Sequence, residues 1–117
     1  MAQTVTPINP HAHLSKIAAI TQADWIDARV LAAGVAETYQ APAGAKYVRI
    51  AGDGTFYAKI AAASTAAAVP AADIVDGTAS ELMPAGAVEF RTLPVDQAFI
   101  SLIASAACVV TLSFYRN

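Results

Sequence analysis

A chain of 117 residues has the length of one domain and can bury a core without metals or disulfides. Its net charge is -2 and its 7 lysines and arginines are scattered singly, which argues against a phosphate-tracking nucleic-acid surface; its 1 cysteine excludes an intrachain disulfide. Charged residues make up 14% and hydrophobic ones 56%, against about 25% charged in ordinary soluble domains, so either part of the surface meets a partner, copies of itself included, or the alanine excess reflects genome composition.

Residues 1–24 read as an extended arm, with the single β-domain expected over 25–117. "TVTPINPHAHLSK" has no clear period, and Pro7 and Pro10 bias the residues before them toward extended backbone. The start lacks the basic and apolar regions of a signal peptide. Leu14, Ile17, Ala18 and Ile20 suit one face of a short helix with Ser15 as its cap. "WIDARVL" reads as a strand, with Trp25, Asp27, Arg29 and Leu31 on one side and Ile26, Ala28 and Val30 on the other. "VAETYQ" alternates and stops where Pro42 and Gly44 punctuate a turn.

"KYVRIAGDGTFYAKI" reads as a β-hairpin. Val48, Ile50, Phe56, Ala58 and Ile60 point inward, while Tyr47, Arg49, Tyr57 and Lys59 point out. Gly52, Asp53 and Gly54 would supply the positive φ angles of its tight turn. Residues 61–86 form a long connection in which Pro70 cuts short any alanine helix, and an ordered loop over the end of a sheet is expected. "AVEFRTL" reads as a strand with Val88 and Phe90 facing in, ended by Pro94.

The run 98–115 is free of charge over 18 residues, near the lower limit of a membrane span. Its serines and threonines, its β-branched and aromatic residues, and its break at "ASAA" favour a second hairpin instead. One side carries Ile100 and Leu102, then Cys108, Val110, Leu112 and Phe114; the other carries Phe99, Ser101 and Ile103, then Val109, Thr111, Ser113 and Tyr115. The expected fold is all-β: an antiparallel β-sandwich or jelly-roll-like barrel of about seven strands behind an extended N-terminal arm.

Candidate chemistry is thin. His11 and His13 would share one side of a strand, but no third metal ligand is nearby. Asp53, Asp73, Asp76 and Glu81 lack the spacing of a calcium loop, and turn roles account for Asp53 and the Asp76-Gly77 pair. Cys108, in an apolar run, reads as a small buried hydrophobe. No catalytic, cofactor-binding or metal residue is assigned, and no enzymatic role is expected. The aromatics Trp25, Tyr39, Tyr47 and Tyr57 could stack on sugar rings; Tyr47 and Tyr57, on neighbouring strands of the expected hairpin, would otherwise support it as a cross-strand pair.

Three stretches carry a resemblance: "APAGAKYVRIAGDGTFYAKI", "AVPAADIVDGTASELMPAG" and "ISLIASAACVVTLSFY". In block order they resemble small β-sandwich virion proteins of tailed bacteriophages, which decorate or cement capsids or serve as minor head or tail components. The resemblance implies a homo-oligomer, often a trimer, made in the host cytoplasm and bound to the major capsid protein or another virion protein, with no cofactor, nucleic acid or membrane as partner. The arm, with Pro7 and Pro10, and the apolar residues Phe99, Ile103, Val109 and Tyr115 would carry the contacts. The alternative is a carbohydrate-binding or host-recognition module of a phage tail, using Tyr47, Tyr57 and the loop 61–86.

Overall fold

The computed structural model describes residues 23–116. Most of the expected arm, with Pro7, Pro10, His11, His13 and the short helix, lies outside the described residues. Eight strands follow one another: β1 (Trp25–Leu31), β2 (Glu37–Gln40), β3 (Tyr47–Gly52), β4 (Phe56–Ala61), β5 (Glu81–Met83), β6 (Val88–Thr92), β7 (Phe99–Ile103) and β8 (Cys108–Tyr115). Among the described residues no helix is long and apolar enough to cross a membrane.

The strands form two four-stranded antiparallel sheets, in the orders β1-β8-β3-β6 (sheet one) and β2-β7-β4-β5 (sheet two). The first strand pairs with the last, the second with the seventh, the third with the sixth and the fourth with the fifth. That nesting is a long antiparallel ribbon rolled over on itself, the jelly-roll form of a β-sandwich. The expected all-β antiparallel fold holds, with β5 as the strand that the sequence hides inside its long connection.

The inward sets are the ones alternation predicts. Val48, Ile50, Phe56, Ala58, Ile100, Leu102, Val110, Leu112 and Phe114 are all buried, and Leu31 and Met83 join them. The partners are not the expected ones. β3 and β4 are no hairpin, because they lie in opposite sheets, and the same holds for β7 and β8. Alternation says which side of a strand is buried; it does not say which strand lies beside it.

The Gly52-Asp53-Gly54 stretch therefore carries the chain from one sheet to the other. Neither glycine has a positive φ. Their role is spatial: a Cβ on Gly52 would sit 2.6 Å from Cε1 of Phe56, and one on Gly54 would sit 2.8 Å from Cβ of Cys108. Asp53 fastens the crossing to β8, its carboxylate accepting from the Val109 amide at 2.8 Å and its own amide donating to the Val109 carbonyl at 3.1 Å.

β6 is turned the other way from its expected orientation. Val88 and Phe90 are 45% and 49% exposed, and Glu89 and Arg91 take the inward side, in register with the buried Ile50 and Val48. The cause is position. β6 is an edge strand at the rim of the sandwich, where an inward charge still reaches water and blunts the open edge. Arg91 reaches across to β5, donating from Nε to Glu81 at 3.0 Å, and also pairs with Glu89 at 3.1 Å. The opposite rim repeats the device: Arg29 of β1 pairs with Glu37 of β2 at 3.6 Å. Each rim is thus bridged by an arginine of sheet one and a glutamate of sheet two.

Hydrogen bonding to Arg91 holds the Glu81 carboxyl below its ordinary value of 4.5. A lowered folded-state value contributes stability above pH 4.5 that is lost as pH falls through the folded value. Glu81→Gln should therefore flatten the acid limb of the stability curve below pH 4.5, with a loss at neutral pH held to about 1 kcal/mol or less by solvent screening. Urea melts at pH 7 and pH 3.5 check this; an unchanged acid limb would show that the pair adds nothing.

Residues 62–80 lie as a strap against the outer side of sheet two. The buried hydroxyl of Ser101 accepts from the Ala67 amide at 2.7 Å and shares a hydrogen bond with the Thr38 hydroxyl at 2.9 Å. Lys59 donates to the Thr78 carbonyl, and the Ala68 amide to the Ser80 hydroxyl at 3.1 Å. Ser101→Ala leaves the buried Ala67 amide without its acceptor, a cost of about 1–3 kcal/mol. The expected result is faster limited proteolysis within 62–80, read by mass spectrometry, and a lower urea midpoint.

Candidate interaction surfaces

The two outer faces differ. Sheet two lies beneath the strap, so its outward Phe99, Tyr57 and Ile103 are half-buried. Sheet one is bare. Across it run the registered pairs Ala28–Thr111 and Val30–Val109 between β1 and β8, and Tyr47–Tyr115 between β8 and β3. On β6, Val88 and Phe90 complete the face, with the Phe90 ring 6.4 Å from that of Tyr115. Val30 is 70% exposed, and Ile26, Tyr47 and Val109 are exposed as well. Among the described residues, Arg49 is the one charged side chain pointing out of this sheet. This largely apolar face, with Thr111 and Arg49 among its side chains, is a candidate contact surface.

The residues expected to carry contacts divide between the faces. Val109 and Tyr115 belong to the bare face, Phe99 and Ile103 to the covered one, and Pro7 and Pro10 lie outside the described residues. Tyr47 and Tyr57 project from opposite sides of the sandwich, because β3 and β4 are not neighbours, so the two rings cannot stack on one sugar. Sequence reasoning missed Val88 and Phe90 as surface residues. The signal for them was the Glu89 and Arg91 alternating between them, which only an edge strand can turn inward.

A second feature occupies the β1–β2 rim. A groove of about 490 Å³ is lined by Trp25, Asp27, Arg29, Tyr39, Gln40 and Arg116, with Pro42 and Ala43 at one end. The Trp25 indole N–H donates to Asp27 Oδ1 at 2.8 Å, yet the side chain stays 55% exposed. The Arg29 guanidinium lies 3.6 Å from the centre of the Tyr39 ring while pairing with Glu37. Burial pushes the Tyr39 phenol well above its ordinary value, and its hydroxyl has no hydrogen-bond partner among the described residues.

Of the acidic candidates, Asp53, Asp76 and Glu81 take local roles, and Asp73 is simply exposed. Asp76 accepts from the backbone amide of Thr78 at 3.1 Å and from its hydroxyl at 2.6 Å, which lowers its pKa. Glu81 belongs to the rim pair. Among the described residues, no group of three or more His, Cys, Asp or Glu side chains is placed to hold a metal. Burial, with a smaller contribution from Asp53, raises the Cys108 thiol, which stays protonated at neutral pH. A thiol so held is a poor nucleophile.

No family model matches the chain, and no curated protein matches it. The functional reading therefore rests on the fold and its surfaces.

Proposed function

We propose that this chain is a structural virion protein of a tailed bacteriophage, a capsid decoration or cement protein without enzymatic activity that self-associates, as a trimer, and binds the phage shell. The observation that carries the reading is the bare face of sheet one, where apolar side chains from all four strands surround one arginine. A domain with so little charge exposes such a face at the cost of solubility unless another protein covers it. Jelly rolls serve as building blocks of viral shells, and also as lectins and cupins, so the fold supports the reading by analogy alone. Block order in residues 41–115 adds the resemblance to phage head and tail proteins. Repetition over a shell turns modest contacts into firm attachment.

The deciding experiment is co-expression with the shell protein encoded by the same phage genome. The expected result is that the chain sediments with assembled particles in a stoichiometric ratio, and that capsid and portal genes flank its gene. Its recovery wholly in the unassembled fraction would overturn the reading.

A further inference from the structure

We propose that the groove at the β1–β2 rim is a saccharide-binding site, with the exposed indole of Trp25 as the platform for a sugar ring. A pyranose offers a flat C–H face and a rim of hydroxyls. The first packs on an aromatic plane; the second is recognised by planar side chains that bind two neighbouring hydroxyls at once. The groove brings both together.

Trp25 has its N–H bound to Asp27, which restrains the indole while more than half of the side chain stays exposed at the groove. Asp27 and Gln40 line the groove, the Gln40 amide also donating to the Gln97 carbonyl at 3.4 Å, and Arg29 supplies a guanidinium held in place by Glu37 and by the Tyr39 ring. Side chains restrained in this way lose little further freedom when a ligand arrives. The volume of about 490 Å³ lies within the range of small-ligand sites, ~300–1,000 Å³.

The opposite rim is an internal comparison. It also holds a groove, of about 380 Å³, but no aromatic side chain lines it, and its Arg91 is committed to Glu81 and Glu89. Grooves follow from the open rims of a sandwich, and the aromatic platform is what sets the β1–β2 rim apart. Arg116 at the groove wall adds a cation suited to a sugar carboxylate. The site does not depend on the shell-binding reading. Trp25, Asp27 and Arg29 point to the other side of β1 from Ile26, Ala28 and Val30, so covering the outer face of sheet one leaves them on the uncovered side.

The chain has 1 tryptophan, so its fluorescence reports on this groove directly. The full chain is screened on an array of bacterial surface oligosaccharides, with neutral and uronic-acid-containing members, and array hits are titrated by fluorescence and calorimetry. Saturable binding with a change in the tryptophan spectrum is expected. Trp25→Ala should lose array binding, Gln40→Ala should weaken it about tenfold, equal to about 1.4 kcal/mol, and Arg116→Ala should weaken the acidic arm alone. Circular dichroism confirms that each variant is folded, and the exposed Gln40 provides a readout if Trp25→Ala fails to fold. No signal from any saccharide, or binding left intact by Gln40→Ala and by folded Trp25→Ala, would overturn the proposal.

Discussion

Phe56→Ala is expected to cost about 3–5 kcal/mol, a large part of the ~5–15 kcal/mol that holds an ordinary domain folded. Phe56 opens β4 just after the chain has crossed between sheets, and it is 1% exposed. Its ring rests on the backbone of Gly52, which closes β3. A Cβ there would meet Cε1 at 2.6 Å and Cδ1 at 2.9 Å, closer than carbon atoms approach without something shifting. Gly52→Ala alone should therefore cost about 1–3 kcal/mol through the displaced ring. The two changes should not add. With Phe56 truncated, the new methyl at position 52 enters the space the ring has left, and a coupling of about 0.5–3 kcal/mol in the rescuing direction is expected. Urea denaturation of the four proteins of the cycle measures it. Additive losses would show that Gly52 is required by something other than the ring.

The same pair shows where sequence reasoning stops. "GDG" between two alternating runs is the usual mark of a two-residue hairpin, and the buried side of each run follows from its period of two. Both flanking strands do bury the expected residues. What the pattern does not contain is the neighbour: a strand with one apolar side is equally satisfied within a hairpin or facing its successor across a core. Jelly-roll pairing joins strands as distant as β1 and β8, and no local signal encodes it. β5 shows the converse. Glu81-Leu82-Met83 has no period long enough to read, and it is a strand because Phe56, Tyr57 and Ala58 of β4 supply its ladder.

β6 failed because it is an edge strand. Val88 and Phe90 are the most apolar residues of their run, and the natural inference buries them. In the folded chain the inward side belongs to Glu89 and Arg91, which close the rim. The apolar side chains are left on the outer face of sheet one, Phe90 beside Tyr115 and level with Arg49, and Val88 level with Ala51. Half of that surface was legible, because Val109 and Tyr115 follow from the two-sided apolar character of the last strand. The other half required knowing that β6 is an edge. Trp25 and Tyr39 were legible as aromatics able to stack on a sugar, but the groove they line was not, since Trp25 and Arg116 come from opposite ends of the domain and meet only because β1 pairs with β8.

Under the proposed self-association through sheet one, Val30→Lys and Phe90→Lys, made separately, are each expected to leave the 12.0 kDa monomer, as measured by light scattering. In a symmetric assembly each substitution is present in every copy, so one change alters every equivalent contact. Burying an unpaired ammonium, or setting two like charges against each other, costs several kcal/mol, enough to dissolve an interface of ordinary strength. Both positions are exposed in the single chain, so its own stability should move by no more than about 0.5 kcal/mol. Val75→Lys on the strap, where the residue is 91% exposed and lies in the connection between two strands of sheet two, should leave the mass unchanged. Raising the salt separates apolar from ionic association. With Arg49 as the one charge on the face, self-association should survive about 1 M salt, where the screening length has fallen to about 3 Å. A wild-type protein that is monomeric at about 100 μM, well above a micromolar dissociation constant, would show that copies of the chain do not cover this face.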